Sequence, residues 1–187
     1  MTIEQLTRLS GLSLALGGLL GATGWLLFAL LDPNHSQYSH ARWLPLNGLI
    51  IAAGVLMALG LPGVYLRQAT ESGLVGLIGF VILFVGIVLA YLAVHAIETA
   101  TMPNLPPTMM RIVAIAAPSL FIGAVLTGIA TWRSGVYTPW AAALLLAAAL
   151  LGLMALVLPL PNWLYRAASP AMFCMALAWL GLASAAS

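Results

Sequence analysis

Six stretches of this chain are each about as long as a membrane is thick. They cover residues 9–31, 44–65, 73–96, 112–132, 140–158 and 163–183. A helix needs about 20 apolar residues to cross a hydrocarbon core of about 30 Å. No aspartate, glutamate or arginine interrupts these stretches, apart from Arg166 one turn inside the last. Lipid offers backbone amides no partner, and the stretches are too long and too uniformly apolar for barrel strands. The pattern predicts an all-α fold, a six-transmembrane-helix bundle, with residues 1–187 forming one integral membrane domain. The first stretch is too long for a signal-peptide core, and only Arg8 precedes it beside Glu4. It is therefore expected to be retained.

Ten of the 187 residues carry a formal charge: Glu4, Asp32, Glu71 and Glu98, with Arg8, Arg42, Arg67, Arg111, Arg133 and Arg166. Soluble domains carry about 25% charged residues, against 5% here. A mean hydropathy of +1.10 fits a chain solvated by lipid. The absence of lysine excludes Schiff-base chemistry and the phosphate-loop lysine of nucleotide hydrolases. The single cysteine, Cys174, excludes an internal disulfide, a CxxC pair and four-cysteine metal sites. The arginines form no basic run, so no nucleic-acid partner is expected.

Most connections read as tight turns. Residues 67–72 and 133–139 are short and polar, and Pro159, Pro161 and Asn162 mark a corner. Two connections, 32–43 and 98–111, are longer. Alternating crossings put three arginines on each side, so positive charge alone sets no orientation. A bacterial cytoplasmic membrane with both termini inside is favoured, because the short arginine-bearing turns then face the cytoplasm.

The halves echo one another. Residues 21–25 (GATGW) resemble 128–132 (GIATW), and 61–67 (LPGVYLR) resemble 160–166 (LPNWLYR). Offsets of 107 and 99 would make a connection in the first half eight residues longer. Two inverted three-helix repeats would follow, as in many transporters. Short glycine and proline echoes also arise by chance in apolar sequence, and the second pairs a span end with a span start.

Ionisable groups concentrate on one side. His35, His40 and Asp32 fall in the first long connection; His95 and Glu98 lie near the end of the third span. Tyr91, His95 and Glu98 are spaced four and three, which lines one stripe of a helix. Such a group suits a metal, a proton relay, or ligation of a haem or pigment. The competing reading is an interfacial polar cap, since Glu98 lies about 37 Å along a helix from Gly73. No cofactor is required by the sequence.

Gly17 and Gly21, four apart in the first span, and Gly79 and Gly86 in the third are candidate helix-packing positions. Arg67 and Glu71 are spaced to pair across a turn. Pro118 and Pro170 interrupt spans four and six. Cys174 reads as a small buried hydrophobe. No GxSxG or HExxH motif is present, so no catalytic residue is assigned and catalysis is poorly supported.

The runs 60–68 (GLPGVYLRQ), 73–80 (GLVGLIGF) and 9–18 (LSGLSLALGG) resemble small uncharacterised polytopic membrane proteins of bacteria. The resemblance covers about the first hundred residues. It implies a bacterial membrane protein and carries over no catalytic residue.

Few buried charges and glycine-rich faces favour a non-catalytic protein. It would serve as an accessory subunit, or as a lipid- or pigment-binding scaffold, of a larger membrane assembly. Membrane lipids, other subunits or a second copy are the expected partners. One alternative is a small transporter for a neutral or lipophilic solute, with proline-broken spans around a midplane site. Another is a metal-assisted enzyme at the outer face, built on His35, His40, His95, Asp32 and Glu98.

Overall fold

The computed structural model describes residues 3–31, 40–101, 106–159 and 164–186. Among them every regular element is helical. The helices are α1 (Ile3–Leu31), α2 (His40–Ile87), α3 (His95–Thr101), α4 (Pro107–Ser134), α5 (Pro139–Val157) and α6 (Ser169–Ala185). A π-helical turn, Val88–Val94, joins α2 to α3, and a second, Leu164–Ala168, leads into α6.

Helix α2 differs most from expectation. Its 48 residues would span about 72 Å if straight, more than twice a hydrocarbon core. It is not straight. Gly73 has φ 57° and ψ −154°, a backbone state that glycine adopts without Cβ strain. The chain folds back there into two antiparallel limbs. Tyr65 stacks on Phe80 with ring centroids 4.7 Å apart, and Asn47 bonds to His95. The expected turn over 67–72 is helical instead, and Gly73 makes the reversal.

The all-α expectation holds, and the expected count of six spans is matched only in part. Among the described residues, four helical runs are long and apolar enough to cross a membrane: Glu4–Leu31, Leu44–Thr101, Pro107–Ser134 and Pro139–Val157. The second contains both limbs of the hairpin, and α6 is a shorter apolar helix of 17 residues. Six separate spanning helices are therefore not distinguished by length alone.

Local sequence explains the remaining ends. Gly135, with φ 65°, closes α4 in the left-handed conformation. Pro139 opens α5, where its missing N–H is no loss. Helix α1 starts six residues earlier than its apolar stretch, because Glu4 suits the first turn of a helix dipole.

Helix α1 lies between the first limb of α2 and α6. A Cβ on Gly17 would stand 2.7 Å from the Met57 backbone nitrogen, and one on Gly18 would stand 2.6 Å from that of Ala178. A Cβ on Gly21 would meet the Cys174 sulfur at 2.8 Å. On the other flank, Gly79 faces the backbone of Thr127 and Gly86 that of Leu120. All five are contacts within the chain. Leu14, Met57, Leu83, Leu145, Phe173 and Leu177 fill the interior. Large apolar side chains also face outward on every long helix, including Leu16, Leu59, Leu74, Ile115, Leu150 and Leu182. A surface apolar on all sides suits lipid rather than water.

Candidate functional site

The hairpin brings the two limbs of α2 together beside α1, and a polar knot forms there. His95 Nδ1 lies 2.8 Å from Asn47 Oδ1 and 3.0 Å from Glu98 Oε2. Asn47 Nδ2 donates to Thr99 Oγ1 at 3.2 Å, and Thr99 Oγ1 donates to the His95 carbonyl at 2.7 Å. Asn47 and His95 are buried, and the Glu98 side chain is 12% exposed. These groups are enclosed by protein rather than forming a solvated cap. Burial of polar groups without partners is costly; here Asn47, His95 and Thr99 supply partners to one another, while buried Glu98 Oε2 has the approach of His95 Nδ1 and no hydrogen bond.

Aromatic rings surround the knot. Trp25 on α1 meets His95, Tyr91 and Phe28 edge-on, with centroids 5.8, 6.4 and 5.8 Å away. Tyr91 and Phe173 stack at 6.4 Å. The Tyr91 hydroxyl and the Cys174 sulfur are 3.1 Å apart, and both residues are buried. Cys174 thus holds a polar contact as well as a packing role.

A cavity of about 370 Å³ opens against this assembly. Trp25 and Phe28 of α1 form one wall, and Tyr91, His95 and Glu98 another. Helix α4 contributes Val113 to Phe121 in part, and α6 contributes Pro170 and Phe173. Pro118 lies within that stretch of α4. It removes one helical hydrogen bond beside the cavity, leaving the Ala114 carbonyl without that partner. Tyr91 itself sits in the π-helical turn Val88–Val94. Such turns widen the helix by one residue and often occur at functional sites.

The predicted stripe of Tyr91, His95 and Glu98 lines this one cavity. Asp32 and His35 lie outside the described residues, as does the side chain of His40, which opens α2. Among the described residues, no group of three or more histidine, cysteine, aspartate or glutamate side chains could hold a metal. Asn47, Thr99 and Trp25 were not legible as site residues. Asn47 carried a faint signal, as a lone amide inside an apolar stretch. Trp25 carried none.

The opposite end of the bundle is built differently. Arg67 does not pair with Glu71 among the described contacts. It donates to the Ser184 carbonyl at 3.1 Å and the Ala183 carbonyl at 3.4 Å. This caps the C-terminus of α6, where helix carbonyls lack internal partners. The guanidinium also sits 5.7 Å from the centre of the Tyr137 ring. The Tyr137 hydroxyl donates to the Val64 carbonyl at 3.2 Å. Burial pushes its pKa up, while the Ser184 contact and the Arg67 charge pull it down. The net shift is upward.

Among known proteins, no family model, no curated sequence and no solved structure matches the chain.

Proposed function

We propose that this chain is an integral membrane protein that holds a lipophilic molecule in the cavity beside His95, as a scaffold or an accessory subunit of a membrane assembly. The carrying observation is the cavity itself. At about 370 Å³ it falls within the range of ligand pockets, roughly 300–1,000 Å³. Its wall is aromatic and aliphatic, with one hydrogen-bonded polar patch at His95 and Glu98. An apolar pocket with a few fixed polar groups is the usual form of a small-molecule site.

In this reading the hairpin at Gly73 divides Leu44–Thr101 into two crossings, and α6 with its preceding π turn supplies the last of six. The chain then forms one domain in a bacterial membrane. Arg67, Arg133 and both termini share the cytoplasmic side, and His95 and Glu98 lie towards the other. Reporter fusions at Ser187 test that orientation; an external signal would reverse it.

Native mass spectrometry of protein extracted gently from its host membrane tests the function. The expected result is a lipophilic mass held at fixed stoichiometry, absent from Ala117→Trp, which fills the cavity from α4. A wild-type protein carrying no such mass, or one whose bound mass survives Ala117→Trp, would overturn the reading.

A further inference from the structure

The polar knot restricts what the cavity can hold, and the restriction follows from tracing its protons. The Thr99 hydroxyl proton goes to the His95 carbonyl. Thr99 Oγ1 can then only accept from its neighbour, so the Asn47 group facing it is the amide nitrogen. Asn47 therefore turns its carbonyl oxygen towards His95 Nδ1, and Nδ1 must carry a proton to make that bond. In the neutral ring, Nε2 is left with its lone pair. Nε2 has no partner among the described residues and is not among the sealed polar atoms. His95 lines the cavity.

The other polar groups nearby are taken or closed off. Tyr91 is engaged with Cys174. The Trp25 indole nitrogen and Glu98 Oε2 are both sealed from the cavity space. With the ring neutral, Nε2 is an acceptor, as is Glu98 Oε1, the oxygen of that cavity-lining side chain not among the sealed atoms, so the knot favours a donor as an occupant's head. The walls add a second restriction. Trp25, Phe28, Phe121 and Phe173 present ring faces and edges, which pair best with another ring. Small residues, Ala90, Ala116 and Ala117, complete a wall that leaves room for one.

Resting on the reading that the cavity takes a lipophilic molecule, we infer that its occupant is a phenolic lipid: an aromatic ring with a free hydroxyl, on an alkyl or prenyl tail. The ring lies among the aromatic walls, the hydroxyl donates to His95 Nε2, and the tail leaves towards the membrane.

The test compares three probes on the purified protein in detergent, by native mass spectrometry over a concentration series. They are 4-decylphenol, its methyl ether 4-decylanisole, and 1-decanol. An unmade hydrogen bond that strands a buried acceptor weakens binding by about tenfold or more. The phenol is therefore expected to bind at least about tenfold more tightly than the anisole, and more tightly than decanol. His95→Ala should abolish the preference for phenol over anisole, while Ala117→Trp should lower binding of all three. Equal binding of phenol and anisole to wild type would overturn the hydroxyl, and equal binding of phenol and decanol the ring. In either case, loss of binding in Ala117→Trp would leave the lipophilic cavity standing. A phenol preference that survives in a folded His95→Ala protein would overturn the role of His95. No retention of any probe would overturn both the ligand class and the cavity reading.

Discussion

The two ends of this bundle use polar side chains in different ways. At one end, Arg67 and Tyr137 spend their hydrogen bonds on backbone carbonyls of Ala183, Ser184 and Val64. The Ala183 and Ser184 carbonyls lie in the last turn of α6, where the helix supplies no partner of its own, and the result is a cap. At the other end, Asn47, Thr99 and Glu98 all converge on His95 from its Nδ1 and carbonyl side. That arrangement fixes the ring of a residue that lines the cavity and leaves its second nitrogen without a bond among the described residues. A polar group satisfied on every side is structural. In the proposed reading, one held on a single side, beside an apolar cavity, is arranged for a ligand.

The largest expected effect tests what both ends share, the close seams around α1. Gly18→Leu should cost about 3 kcal/mol or more, because its Cβ alone would stand 2.6 Å from the Ala178 backbone nitrogen. Equilibrium unfolding in mixed micelles measures this. Gly48→Ala is the control, since nothing lies within 4 Å of its added Cβ. It should gain about 0.5–1 kcal/mol from helix propensity. Equal losses at both positions would mean that the seams are not close-packed.

Next in size is the cap. Arg67→Ala removes two charge-assisted hydrogen bonds and a cation–π contact. A loss of about 2 kcal/mol is expected, with binding at the far cavity unchanged. A binding defect of similar size would show that the ends are coupled and that the contrast between them is false.

Asn47→Ala sharpens the other side of the contrast. It leaves His95 Nδ1 facing Glu98 Oε2 alone and should cost about 1–2 kcal/mol. It should also lower the preference for phenol over anisole, because Asn47 no longer anchors the ring from the first limb of α2. Loss of stability with an intact preference would assign Asn47 to packing alone.

The smallest effect is a pH dependence at Tyr137. Its folded pKa is raised, so the folded state holds the proton more tightly than the unfolded chain. That contribution is complete below the unfolded value of about 10 and declines as pH rises from there through the folded value. Tyr137→Phe should flatten the stability curve above pH 10. An unchanged slope would mean that other groups carry it.

Apolar length and the scarcity of charge were enough to read helices, and the 3.6-residue period put Tyr91, His95 and Glu98 on one stripe without any tertiary information. Those signals are local, because a helix forms its own hydrogen bonds and displays its side chains by a fixed rule. The rest depended on partners distant in the chain. Asn47 reaches His95 across 48 positions only because the chain reverses at Gly73, and a glycine in apolar sequence does not announce its φ. Arg67 had Glu71 four residues away, yet it bonds to carbonyls more than a hundred residues on. Those carbonyls sit at a helix end with no internal partner, so they draw the guanidinium more strongly than an exposed carboxylate does. The cavity has no sequence signature at all. It is the space left where four helical segments meet around rings and small residues, and only their packing decides its size and which atoms face it.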